Sequence, residues 1–249
     1  MPHGETAAQL TASLDRAREE GFHRICLDAE KKAGLPRGIL LAVSSRETHC
    51  RNIVGDGGHG RGAFQIDDRS HAAFLAKHGV QAGGVPPLGP AAAYAAQLLL
   101  DNGRFGRQQG VKAADLLKFS LSAYNAGAGN AIKGYKAGDS DARTANGNYG
   151  KDVLERLRIV LAWLDGGPLP QARPVLREGA RGKAVLELKE LLAAATPGGV
   201  LFAMTPVWGH PLTVAVKEFQ RRHGLDDDGV VGENTWRALE AIAPAKAPA

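Results

Sequence analysis

Residues 46–67 read RETHCRNIVGDGGHGRGAFQID. Three carboxylates, Glu47, Asp56 and Asp67, frame a run in which five glycines fall between Gly55 and Gly62. Glycine loses more backbone freedom on folding than any other residue, so such a run costs stability and calls for a reason. Upstream, Ile39, Leu40 and Val43 form an apolar stripe on a helix that Pro36 can start, which places Glu47 at its C-terminal end. The helix dipole disfavours negative charge there, and a helix built only for stability would carry Lys or Arg. Dipole and partial burial both raise the pKa of such a carboxyl, as a general acid near neutral pH requires. Downstream, residues 63–67 alternate, with Phe64 and Ile66 to one face and Gln65 and Asp67 to the other, predicting a short strand or hairpin arm.

Several chemistries compete for this stretch. Residues 55–60 satisfy G-x-G-x-x-G, but a dinucleotide site needs a strand before the glycines and a helix after them. Here a polar helix end precedes and AFQID follows, and no G-K-[ST] completes a phosphate loop. His49, Asp56, His59, Asp67 and His71 offer metal-ligand types without any H-x-x-x-H or C-x-x-C spacing, so no metal is expected. Carboxylate chemistry on a polysaccharide is the third reading. Glu47 would be the acid, Asp56 or Asp67 would activate water as in an inverting glycosidase, and the glycines would form a bare shelf for sugar between them. The bland alternative is a charged helix end followed by a surface loop.

Composition narrows the field. The chain of 249 residues is 44% hydrophobic and 23% charged, which fits one large domain or a medium and a small one. Its net charge of +5 is spread over the chain without a Lys/Arg cluster interleaved with aromatics, which argues against nucleic acid and fits an anionic polymer such as a bacterial wall. No apolar run reaches membrane length, and MPHGETAAQL lacks the features of a signal peptide. Synthesis in the cytoplasm, without membrane insertion, is expected. Cys26 and Cys50 flank a helix–turn–helix whose geometry permits a disulfide, with two buried free thiols as the slightly favoured reading.

Helices are predicted over 6–20, 22–32, 36–46, 91–100, 113–122 and 152–164, and a loop rich in Gly, Asp and Asn is predicted to lead to Tyr149. Prolines and glycines make 166–174 a linker between a first domain at 1–165 and a second at 175–243, with 244–249 a tail. The second domain shows three helices, 182–195, 211–223 and 233–242, whose apolar residues recur at helical spacing. Its run Asp226–Asp228 lacks the ligand alternation of a calcium loop and reads as a turn.

Four ordered motifs carry a resemblance. ETH at 47–49, the pattern from Gly55 through Gln65 and Asp67 to RSH at 69–71, SAYNAGAGN at 122–130 and YxxDV at 149–153 resemble the active-site region of goose-type lysozymes. These share a superfamily with soluble lytic transglycosylases, and the resemblance covers roughly residues 20–165. It implies a mainly α fold with a small β-hairpin, Glu47 as catalytic acid, and Asp56 and Asp67 as the aspartates that hold the hydrolytic water. Gln65, His71, Tyr124, Asn125 and Tyr149 match residues lining the sugar cleft. His59 and Arg61 fall at variable positions, and nothing is carried over to them. Each of the five has a plainer reading: a polar strand face for Gln65, a helix cap for His71, a helix terminus for Tyr124 and Asn125, a core lid for Tyr149. Residues 176–188, 215–220 and 224–236 resemble the three-helix peptidoglycan-binding domain, with a segment at 197–208 longer than that family usually has.

The resemblance implies a monomeric, cofactor-free muramidase that cleaves the β-1,4 bond from N-acetylmuramic acid to N-acetylglucosamine, with peptidoglycan as its partner. A phage-type endolysin released from the cytoplasm at lysis fits these features. A lytic transglycosylase, which closes a 1,6-anhydro ring and needs no water, and a non-catalytic wall binder are the alternatives.

Overall fold

The computed structural model describes residues 6–167, 174–196 and 202–242. The expected 244–249 tail, most of the 166–174 linker and the first part of the 197–208 segment lie outside them. Chain contacts divide into two compact units, Met1–Pro170 and Gln171–Ala249. The fold is mainly α-helical, with a small antiparallel sheet in the first unit and a separate three-helix C-terminal region.

The first unit begins with α1 (Ala7–Glu19), closed at its N-terminus by a capping box between Thr6 and Gln9. Gly21, at φ 73°, turns the chain into α2 (Phe22–Ala33), which ends on left-handed Gly34. Helix α3 (Ile39–Thr48) is the centre of this unit: Ile39, Leu40, Leu41, Ala42, Val43, Ser44 and Ser45 are all fully buried. It is buried nearly all round, where the sequence suggests a single stripe. It also starts at Ile39 rather than Pro36, because Gly38 adopts φ 83° and lies so close to the later helix at Tyr149–Leu164 that a Cβ would sit 2.9 Å from Val160 Cγ1. No side chain at the N-cap position serves α3; instead the buried Glu30 carboxylate accepts from Gly38 N and Leu40 N, both at 2.7 Å.

Strands β1 (Val54–Gly55), β2 (Gly60–Arg61) and β3 (Ile66–Asp67) pair antiparallel in that order. The register sets Gly55 opposite Gly60 and Gly60 opposite Asp67. The alternation expected over 63–67 holds in burial, with Phe64 and Ile66 buried and Gln65 and Asp67 partly exposed, but the strand itself covers only the last two residues. Gln65 takes φ 45° in a turn, while Phe64 is buried against Phe22 with ring centroids 5.8 Å apart. The chain continues through α4 (Ala72–Lys77), α5 (Leu88–Gln108), α6 (Leu116–Ala126), α7 (Ala128–Lys136) and α8 (Tyr149–Leu164). The expected loop before Tyr149 is therefore a helix, α7, followed by two 3-10 turns. Gly134 hid it from propensity, since glycine weakens a helix; here a Cβ would meet Asp139 O at 2.5 Å. Both cysteines are buried, and neither forms a disulfide.

In the second unit, α9 (Lys183–Ala195), α10 (His210–Arg222) and α11 (Glu233–Ile242) enclose Val185, Leu188, Leu192, Trp208, Val216, Phe219, Trp236 and Leu239. Gln220 anchors the 226–229 turn, donating to Asp228 Oδ1 and accepting from Gly229 N. Lys189, 2% exposed, donates to the carbonyls of Ala203, Thr205 and Val207 and so fastens the described part of the long segment onto α9.

Candidate active site

A cleft of about 610 Å³ in the first unit gathers Glu47, Asp56, Gln65, Asp67, His71, Tyr124 and Asn125. Seven of the eight positions singled out in the sequence thus share one surface. The eighth, Tyr149, does not line it: the ring is 1% exposed at the start of α8, and its hydroxyl donates to Glu47 Oε1. Its polar contact is with Glu47 because α8 packs against α3.

Glu47 stands on the last turn of α3, partly buried, and its carboxyl is pushed up to about 7. Burial is the main cause; the Tyr149 hydrogen bond and the Arg46 and Arg156 charges pull it down, and Asp56 pushes it up. The arginines are held in place from behind. Arg46 Nε lies 2.6 Å from the buried carboxylate of Asp152, which Arg156 Nε also meets at 3.2 Å. The Arg46 guanidinium sits 5.3 Å from the Tyr149 ring centroid. The acid thus rests on a structured cationic floor whose members come from α3 and α8.

Asp67 ends β3 and Asp56 opens the 3-10 turn between β1 and β2, and the two are joined by a residue outside the eight candidate positions. Arg69 pairs with Asp67 through Nη2 and reaches Asp56 Oδ2 at 3.3 Å. Asp67 also accepts the backbone N–H groups of Arg69 and Ser70 at 2.9 and 3.0 Å. Its carboxyl is consequently held down at about 2, with the Arg69 hydrogen bond as the main cause. Asp56 is far more exposed, 67% at its side chain, on a backbone held at φ 47°. The two acids therefore share one guanidinium, and do not stand apart across a shelf. The RSH triplet at 69–71 was the available signal for Arg69.

Gln65 explains two of the glycines. Its side-chain amide donates to Gly62 O and Ile53 O, and its Oε1 occupies the space that a Cβ on Gly55 or Gly60 would need. These glycines admit Gln65 rather than sugar. Next to them, Asp68 takes Arg61 and His59 as partners and ties β2 to the segment after β3.

The remaining cleft residues are similarly seated. His71 precedes α4 without capping it through its side chain; its Nδ1 lies 3.0 Å from Tyr94 Oη, and burial lowers its pKa. Tyr124 donates its hydroxyl to Phe64 O at 2.8 Å, linking α6 to the turn before β3. Asn125 Oδ1 accepts from Ala145 N at 2.8 Å, and Asn130 and Arg143 complete this wall. Among the described residues, no group of three or more His, Cys, Asp or Glu could hold a metal ion, and no helix is long and apolar enough to cross a membrane.

Comparison with known proteins agrees with these features at a coarse level. A family described as "Putative peptidoglycan binding domain" matches residues 181–239, which span α9 to α11. The chain is also 26% identical over 159 residues to lysozyme G of Dromaius novaehollandiae, covering 61% of this chain and 72% of that protein. The chain thus carries a C-terminal peptidoglycan-binding domain and is weakly similar to a lysozyme-type glycosidase.

Proposed function

We propose that this protein hydrolyses the glycan strands of peptidoglycan as an N-acetylmuramidase, cutting the β-1,4 bond between N-acetylmuramic acid and N-acetylglucosamine. The observation that carries the reading is Glu47. It is a carboxyl poised at about 7 by burial, tethered by Tyr149, and open to a cleft that also holds two aspartates. In the protonated form it gives its proton to the leaving glycosidic oxygen. Water on the opposite face of the sugar is held by the aspartates, and the configuration inverts without a covalent intermediate.

The two aspartates divide this work. Asp67 is a weak base, since Arg69 and two backbone N–H groups stabilise its ionised form. Asp56, exposed and contacted by one arm of Arg69, receives the proton of the attacking water, and Asp67 fixes Arg69 and thereby Asp56. Replacing Asp56 by Asn then lowers kcat more than replacing Asp67 by Asn, by about 10²-fold against about tenfold. The opposite ranking transfers the base to Asp67.

One observation favours the lytic transglycosylase instead. Pairing with Arg69 weakens Asp67 as a base, and a reaction that closes an anhydro ring needs no water. Mass spectrometry of muropeptides released from purified peptidoglycan separates the two. Hydrolysis gives reducing muramic acid ends, and a spectrum dominated by 1,6-anhydro ends, lighter by one water, overturns the muramidase reading.

The C-terminal unit raises the local concentration of the cleft at an insoluble polymer. In this reading the 1–165 domain is catalytic, the 175–243 domain binds the wall, and the protein acts as a phage-type endolysin that reaches the wall after release from the cytoplasm. Wall sedimentation of the Glu47→Gln chain, with and without residues 175–249, tests the division: binding that survives removal of the second domain overturns it.

A further inference from the structure

Two guanidinium groups line the cleft, and they stand in opposite states. Arg69 is engaged by Asp56 and Asp67. Arg143 is exposed, and among the described residues its side chain has neither an ion pair nor a hydrogen bond. A solvated surface arginine needs no support, yet the backbone beneath this one is held from both sides. Arg143 closes the 3-10 turn Ser140–Arg143, whose buried Asp141 accepts from Ser122 Oγ at 2.8 Å, Gly150 N at 2.7 Å and Lys151 N at 2.9 Å. On the other side Thr144 donates to Asp141 O and accepts from Tyr149 N, and Ala145 N donates to Asn125 Oδ1. The turn therefore presents a free cation to the cleft from a fixed base, which lowers the ordering cost of binding an anion.

We propose that Arg143 is a carboxylate anchor that selects the muramyl part of the substrate; this rests on the glycan reading above. Strands of peptidoglycan alternate a neutral N-acetylglucosamine with a muramic acid whose lactyl group ends either in a free carboxylate or in an amide to a peptide with carboxylates of its own. A neutral sugar offers a guanidinium nothing to pair with, whereas a carboxylate matches its fork with two parallel hydrogen bonds. The neighbouring wall residues Asn125, Ala126, Asn130 and Ala145 carry no charge that would compete. Arg143 acts on binding rather than on proton transfer, because the cations that act most on Glu47 are Arg46 and Arg156. The same cleft would accept a neutral N-acetylglucosamine oligomer without help from Arg143.

The test compares the full chain with Arg143→Ala and Arg143→Lys on three soluble probes. These are peptide-bearing glycan strands, strands stripped of peptide by an amidase so that the lactyl carboxylate is free, and N-acetylglucosamine hexasaccharide as a competing inhibitor. Arg143→Ala is expected to raise KM about tenfold on anionic strands with kcat changed by no more than about twofold, and to leave the inhibition constant of the hexasaccharide unchanged. Arg143→Lys, which keeps the charge and loses the fork, is expected to fall between. An effect confined to peptide-stripped strands assigns the lactyl carboxylate, an effect confined to peptide-bearing strands assigns the peptide's, and an effect on both shows that Arg143 pairs with either. An unchanged KM on both, or equal weakening of the neutral hexasaccharide, overturns the anchor. Absence of cleavage by the unaltered protein would instead overturn the hydrolytic reading, so the two failures are distinguishable.

Discussion

A glutamate lifted to about 7, chiefly by burial, stands at each end of α3, Glu30 reaching across from α2 and Glu47 on α3 itself, yet only Glu47 lines the cleft. At the N-terminus, Glu30 is 1% exposed and spends its oxygens on Gly38 N and Leu40 N, doing the work of a helix cap. At the C-terminus, Glu47 keeps one hydrogen bond, from Tyr149, and opens onto the space where substrate would lie. A raised pKa therefore marks burial, and access to the cleft is what separates Glu47 from Glu30, which holds the fold together. Asp67 completes the contrast, since exposure to Arg69 drives a similar group down to about 2.

The sharpest way to break the comparison is to neutralise each glutamate in turn. Glu47→Gln should lower wall-clearing activity by about 10³-fold while circular dichroism and wall binding stay intact. Equal clearing by both proteins would remove Glu47 from the chemistry. Glu30→Ala should do the reverse. Stranding two buried N–H groups costs about 2 kcal/mol, read as a lower Tm, with activity per folded molecule retained.

The pH dependence of stability sharpens it further. Both glutamates have folded pKa values near 7 against an ordinary 4.5, so the folded state holds their protons more tightly than the unfolded one. Their favourable contribution is complete below pH 4.5 and is lost as pH rises to 7. Asp67 has the opposite sign: its contribution is present above 3.8 and lost as pH falls through about 2. Denaturant titrations of Glu30→Gln should therefore show a flatter loss of stability between pH 4.5 and 7 than the unaltered chain. An unchanged slope would mean that Glu30 is ionised throughout that range.

The smallest expected effect belongs to Tyr149→Phe. The Tyr149 hydroxyl stabilises the Glu47 carboxylate, so its removal raises the Glu47 pKa. The alkaline limb of the pH–rate profile should move to higher pH, with kcat at the optimum lowered less than about tenfold. A limb that stays in place would show that Tyr149 serves only packing.

Much of the site was legible in the residues, for reasons of local geometry and motif order. Glu47 announced itself by standing where a stable helix would put a cation. The order of the four motifs was enough to group Asp56, Asp67, Gln65, His71, Tyr124 and Asn125 with it, and all six line the same cleft. Tyr149 was legible as a position and not as a role, because its contact with Glu47 spans 102 residues. Helix α7 went unread since Gly129 and Gly134 lower its intrinsic propensity, while packing against the following turn makes Gly134 necessary.

The glycine run divides along the same line. That the chain between Gly55 and Gly62 must be bare follows from its composition alone. What fills the space does not, because Gln65 reaches Gly55 and Gly60 only once a positive φ turns it back over the sheet. By itself the sequence determined the helical class and the glutamate on the end of α3 through short-range periodicity and spacing, while the C-terminal peptidoglycan-binding domain came from the resemblance of its ordered motifs. Tertiary structure alone decided that Arg69 would join the two aspartates, that Tyr149 would support the acid, and that Arg143 would stand free at the cleft. Those outcomes depend on which distant charges are brought within a few ångströms, and no local pattern encodes that distance.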